Sequence, residues 1–106
     1  MNLQAVIAVE PKQSYRAKIT FADGYTAEID LRPTLRGPVF EPLLDERFFR
    51  QMKIGYDTIA WPNGADISPE TLRYWCDLGR VASDEETDAY FLPNTKQLVL
   101  PKNRRI

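Results

Sequence analysis

From Leu3 to Val9 the odd positions Leu3, Ala5, Ile7 and Val9 are apolar, while the even ones start polar at Asn2 and Gln4 and turn apolar at Val6 and Ala8. This reads as a strand partly buried on both faces. Pro11, Lys12 and Gln13 suggest a turn, after which Tyr15, Ala17, Ile19 and Phe21 alternate strictly with Ser14, Arg16, Lys18 and Thr20. The alternation returns with Tyr25, Ala27, Ile29 and Leu31 against Thr26, Glu28, Asp30 and Arg32. A period of two marks a half-buried strand, so both segments are predicted as strands of one antiparallel meander.

The register of that pair follows from keeping its apolar side chains on one face. Directly opposed residues share a face, so Phe21 must lie opposite Tyr25, which leaves Ala22-Asp23-Gly24 as the loop. Gly24 supplies the left-handed position of a three-residue turn followed by a bulge. The same register sets Thr20 against Thr26, Lys18 against Glu28 and Arg16 against Asp30, predicting two opposite-charge pairs on the solvent face.

Beyond Arg32-Pro33 the period changes. Val39, Phe40, Leu43 and Leu44 fall at helical spacing around Pro42, predicting a short helical turn. Asp45 is placed to cap a second helix whose buried stripe is Phe48, Phe49 and Met52, with Glu46 early and Arg50 and Lys53 late to suit the helix dipole. Ile54 to Trp61 reads as two short extended pieces around a bend at Gly55 to Asp57. The run Trp61-Pro62-Asn63-Gly64-Ala65-Asp66-Ile67-Ser68-Pro69-Glu70 then specifies a strand end, a tight turn and a helix start. Pro62 stops the strand, Asn63-Gly64 tolerates positive φ, and Ser68, Pro69 and Glu70 read as N-cap, first helical residue and first-turn acid. The helix carries Leu72, Trp75 and Cys76 on one side and ends at Gly79.

Together these elements predict an α+β fold: an antiparallel meander from Leu3 to Leu31, an additional strand near Thr58 to Trp61, and two to three helices packed on the sheet. The expected core includes Ile7, Ile19, Phe21, Ile29, Phe48, Trp61, Leu72 and Trp75. Residues 1–80 form the domain, and 81–106 a C-terminal extension. There Asp84, Glu85, Glu86 and Asp88 are acidic, and Lys96, Lys102, Arg104 and Arg105 basic. Tyr90-Phe91-Leu92 and Leu98-Val99-Leu100 around Pro93-Asn94 are expected to form a short hairpin docked on the domain or on a second subunit.

Composition removes several chemistries. The 106 residues suit one domain, and a net charge of −1 offers no overall field to gather nucleic acid or an anionic membrane. No apolar run approaches a bilayer span and no basic leader precedes one, so a cytoplasmic location is expected. With one cysteine and no histidine, an intrachain disulfide and a zinc site are excluded, and Cys76 lacks an imidazole to activate it. The glycines are scattered, so no phosphate-cradling loop exists.

The Tyr-x-Ala-x-Ile-x-Phe-Ala-Asp-Gly hairpin at 15 to 24, the Leu-Arg-Gly-Pro-Val-Phe-x-Pro-Leu segment at 35 to 43, Phe48-Phe49 and the Trp-Pro-Asn-Gly-x-Asp run resemble a known family. Over residues 3 to 76 the chain is similar to the small bacterial family called domain of unknown function 2442. The resemblance implies a compact α+β domain and carries no catalytic residues. Some similar proteins bear a helix-turn-helix after the module, and small members are often encoded beside another small protein, which suggests toxin and antitoxin pairs. Here the region after Val81 is short and interrupted at Pro93 and Pro101, which weakens that DNA-binding inference.

The motif residues Asp23, Gly24, Trp61, Pro62, Asn63, Gly64, Asp66, Ser68, Pro69 and Glu70 are therefore read as structural, with Asp66 accepting hydrogen bonds from its own turn. No cofactor, metal or catalytic residue is expected. The functional expectation is a non-enzymatic protein-interaction module of a small regulatory complex. Its partner would be a small protein from a neighbouring gene or a second copy in a homodimer, with no membrane and no direct nucleic-acid contact. One alternative is an antitoxin-type DNA-binding regulator using Lys102, Arg104 and Arg105. The other is a small enzyme using Asp57, Asp66 or Glu70 as a carboxylate acid-base pair.

Overall fold

The structure, a computed structural model, describes residues 3–99, with side chains described for residues 3–91. Leu100, Pro101, Lys102, Arg104 and Arg105 lie outside the described residues. The chain is α+β. Strands β1 (Val6–Pro11), β2 (Arg16–Phe21) and β3 (Thr26–Asp30) form an antiparallel sheet in the order β1-β2-β3. Two 3₁₀ turns, Arg32–Thr34 and Glu41–Leu44, lead to α1 (Glu46–Phe49). A separate hairpin of β4 (Lys53–Gly55) and β5 (Thr58–Ala60) follows, then α2 (Pro69–Leu78) and α3 (Asp84–Val99).

The β2–β3 register is the one derived from the apolar alternation. Thr20 lies opposite Thr26, Lys18 opposite Glu28 and Arg16 opposite Asp30. Phe21 N–H donates to the Tyr25 carbonyl at 2.8 Å, and their rings stack with centroids 6.0 Å apart. The charges pair differently from the expectation. Arg16 Nε reaches diagonally to Glu28 Oε2 at 2.8 Å, while Asp30 Oδ1 accepts the Arg32 N–H at 2.9 Å. Lys18 makes no ion pair among the described residues. A local turn at Arg32 offers Asp30 a backbone donor without ordering the long cross-strand side chain of Arg16.

The first strand starts later and runs further than its sequence pattern predicts. Leu3 is exposed, Pro11 belongs to β1, and the turn to β2 has Ser14 and Tyr15 in left-handed conformations with φ of 58° and 64°. A bulge between Val6 and Ala8 turns Ile7 outward, leaving it 59% exposed. Val6 is the buried residue instead, so the expected place of Ile7 in the core is corrected by one extra residue in the ladder.

Leu31, Leu35, Leu43, Phe49, Met52, Ile59, Trp61, Ala65, Ile67, Leu72, Trp75 and Cys76 close the core over Ala17, Ile19, Phe21 and Ile29. Phe48 is only partly buried and Phe49 is fully buried. The helix expected to run on through Arg50 to Lys53 ends at Phe49, and Lys53 opens β4. With a single turn of helix, only one of the two phenylalanines can face inward.

The expected C-terminal hairpin is a helix. Tyr90, Phe91, Leu92, Leu98 and Val99 all lie in α3, which runs through Pro93. Its start is a capping box: Ser83 Oγ accepts the Glu86 N–H at 3.0 Å and Glu86 Oε1 accepts the Ser83 N–H at 3.1 Å. Three of the acids of this region, Asp84, Glu85 and Glu86, form its first turn, where the helix dipole favours them. α3 meets α2 through Trp75 Nε1 donating to Thr87 Oγ1 at 3.1 Å and through Tyr74 stacked on Tyr90 at 3.9 Å.

Candidate functional site

Two turns of identical design frame the surface on which the motif residues sit. In Phe21-Ala22-Asp23-Gly24-Tyr25 the first N–H donates to the fifth carbonyl at 2.8 Å and Gly24 N–H donates back to the first carbonyl at 2.9 Å. In Trp61-Pro62-Asn63-Gly64-Ala65 the same two bonds measure 2.9 and 3.0 Å. Gly24 and Gly64 hold φ of 92° and 91°, which a side chain at either position would resist. Asp23 Oδ1 accepts the Tyr25 N–H at 3.0 Å, and Asn63 Oδ1 accepts the Ala65 N–H at 3.1 Å. Asn63 therefore fills the role that the sequence reading gives to Asp66. Asp66 is exposed, pairs by backbone bridge with Ala60, and its carboxylate makes no hydrogen bond among the described residues.

Each turn is tied to a neighbour by its remaining side-chain atom. Asn63 Nδ2 donates to the Val39 carbonyl at 2.9 Å. Asp23 Oδ2 takes Nη1 of Arg73 at 2.9 Å. The Tyr25 N–H, and after it Arg73, hold the Asp23 carboxyl below its usual range. Trp61 is buried, and its indole N–H donates to the Phe49 carbonyl at 2.9 Å. Pro62 is exposed at the turn. Ser68 Oγ accepts the Thr71 N–H at 3.3 Å, Pro69 opens α2, and Glu70 stands in its first turn.

The three acids proposed for catalysis are dispersed. Asp57 occupies the tip of the β4–β5 hairpin at φ 68°, and Asp66 bridges to Ala60 at the opposite end of β5. Of the three, Glu70 lines a cleft beside α2. Among the described residues no group of three or more Cys, Asp or Glu side chains is arranged to hold a metal ion. Burial pushes the Cys76 thiol up to about 12.

That cleft is the feature sequence reasoning missed. It measures about 290 Å³ and is lined by Glu70, Arg73, Tyr74 and Asp77 of α2, Tyr90 and Phe91 of α3, and Gln4. Arg73 is its floor. Its Nε meets Asp77 Oδ1 at 3.2 Å, and its guanidinium lies 4.3 Å from the Tyr25 ring centre and 5.1 Å from that of Phe21. The spacing of residues 70, 73, 74 and 77 puts them on one helical face, a signal present in the sequence. The approach of Tyr90 and Phe91 was hidden by reading α3 as strands.

A second open surface is the edge of β3. Tyr25 and Leu31 bond to β2 through Phe21 N–H and Tyr15 carbonyl, so alternation turns the N–H groups of Thr26, Glu28 and Asp30 away from the sheet. None of these three groups meets a backbone partner among the described residues. The other edge is blunted: Val6 N–H donates to the Asp57 carbonyl at 2.8 Å, Ile7 is bulged, and Pro11 has no N–H.

A small α+β domain with two Gly-centred turns, a capped α2 and an open sheet edge is the class this geometry defines. The chain belongs to the family described as "Protein of unknown function (DUF2442)", which matches residues 6–77. No curated protein and no solved structure matches it. Among the described residues no helix is long and apolar enough to cross a membrane.

Proposed function

We propose that this chain is a non-enzymatic protein-interaction module of a small bacterial regulatory complex in the cytoplasm. Its partner is a small protein encoded by a neighbouring gene, as in toxin and antitoxin pairs. The observation that carries this reading is the unpaired edge of β3, where three outward N–H groups and their carbonyls lie ready to pair with an extended segment.

The test compares Glu28→Pro with Glu28→Ala in the full chain. Both lose the ion pair with Arg16, but only proline removes an outward donor, and an edge strand tolerates it there. Copurification of the neighbouring gene product should survive Glu28→Ala and fail with Glu28→Pro, while size-exclusion chromatography with light scattering reports any homodimer. Unchanged complex with both variants would remove the β3 edge as the contact.

A further inference from the structure

The α2–α3 cleft has the wrong composition for an anion and the right one for a cation. Its lining carries two carboxylates, Glu70 and Asp77, against one guanidinium, that of Arg73, which is itself paired with Asp77 and with Asp23 outside the cleft. That guanidinium is already engaged: Arg73 gives Nη1 to Asp23 and Nε to Asp77, rests against two aromatic rings, and keeps only 17% of its side chain exposed. With two carboxylates already paired to it its charge is neutralised, and an anion arriving there would also meet Glu70. Glu70, by contrast, makes no hydrogen bond or ion pair among the described residues, and Asp77 uses only Oδ1. Two acceptors thus remain open on one face of α2.

Facing them is an aromatic wall. Tyr90 stacks on Tyr74 with centroids 3.9 Å apart, Phe91 meets Tyr90 edge-on at 4.9 Å, and Tyr90 remains 57% exposed. A planar cation gains from such ring faces, and arginine gains more than lysine because it stacks while its fork hydrogen-bonds to carboxylates. The volume of about 290 Å³ lies at the small end for ligand pockets and suits one long side chain.

We infer that the α2–α3 cleft receives an arginine side chain of a partner protein, with the guanidinium against Tyr90 and its donors on Glu70 and Asp77. This rests on the protein-binding reading, but on a surface separate from the β3 edge.

The test is a nuclear magnetic resonance titration of the full chain with the tripeptide acetyl-Ala-Arg-Ala-amide and with its citrulline counterpart, which keeps the shape and removes the charge. Saturable shifts at Glu70, Asp77 and Tyr90 are expected with arginine, and at least tenfold weaker binding with citrulline. The double variant Glu70→Gln/Asp77→Asn keeps hydrogen-bond acceptors and should also weaken binding at least tenfold, with a dispersed native spectrum and a cooperative thermal transition as the folding control. Absence of shifts, equal binding of citrulline, or retained binding by the double variant would overturn the inference. A parallel titration uses Lys102→Gln/Arg104→Gln/Arg105→Gln. Binding seen only in that variant would make the chain's own basic end the occupant and would likewise overturn it. The tripeptide is too short to add a strand, so its failure leaves the β3 reading standing.

Discussion

Asp23 and Asn63 perform the same backbone task in two separate turns, each accepting the N–H of the residue two positions on, and they differ only in what the second side-chain atom meets. Asp23 Oδ2 meets the cation of Arg73, and Asn63 Nδ2 meets the carbonyl of Val39. The first site needs an acceptor and the second a donor, which selects aspartate for one and asparagine for the other.

Exchanging the two should therefore separate turn from tether. Asn63→Asp keeps its turn but sets a carboxylate against the Val39 carbonyl, costing about 1–2 kcal/mol by chemical denaturation. Asp23→Asn keeps its turn and loses its charge-assisted bond to Arg73. Its destabilisation should shrink markedly in an Arg73→Ala background, whereas that of Asn63→Asp should be unchanged there. Additive behaviour of Asp23→Asn and Arg73→Ala would refute the tether.

Trp61 joins the motif turn to α1 by a buried indole hydrogen bond. Trp61→Phe leaves the Phe49 carbonyl with only the Met52 N–H, at 3.2 Å, and removes ring volume from the core, so a loss of about 1–3 kcal/mol is expected in urea unfolding. A loss below about 0.5 kcal/mol would show that water replaces the indole.

The β4–β5 hairpin turns through Tyr56 and Asp57, both left-handed, with φ of 54° and 68°. Tyr56 is 96% exposed, so its ring stabilises nothing in the domain. Replacing the pair with Asn-Gly, which adopts this turn readily, should raise stability by about 1 kcal/mol. A drop in the unfolding midpoint would show that the tyrosine is held by contacts of its own.

The start of α3 makes the chain acid-sensitive. Glu86 accepts two bonds from Arg80 and one from the Ser83 N–H, which bring its carboxyl from an ordinary 4.5 down to about 2. A carboxylate lowered on folding contributes stability that is complete above its unfolded value and disappears as pH falls through the folded one. Stability should thus decline between pH 4.5 and 2, and Glu86→Gln should flatten that decline. Parallel acid titrations of the two proteins, followed by circular dichroism, check this.

Much of the fold was legible because it is written in short-range chemistry. Strict alternation from Tyr15 to Leu31 sets the β2–β3 register, and Ser68-Pro69 with Gly79 bounds α2 to the residue. The misreadings share a cause. Ile7 carries a good apolar pattern, yet one bulge rotates it out; Pro93 reads as a breaker, yet α3 passes through it. The Ser83 to Glu86 capping box was available as a signal and was outweighed by the charge run around it.

The candidate surfaces were less legible. Glu70, Arg73, Tyr74 and Asp77 share a helical face by spacing alone, but only the docking of α3 sets Tyr90 and Phe91 across from them. Likewise the alternation of β3 says which side chains face water, not which edge lacks a neighbouring strand.

The order of residues determined by itself the local conformations: two Gly-centred turns, a capped helix, a period-two meander and the absence of imidazole chemistry. Each of these is settled within a few bonds, where a side chain competes only with its own backbone. Tertiary structure alone decided that Arg73 would span from α2 to Asp23, that one edge of the sheet would stay open, and that a cleft would lie between α2 and α3. Those are relations between segments far apart in the chain, fixed by how their buried faces pack, and no local pattern encodes the distance between them.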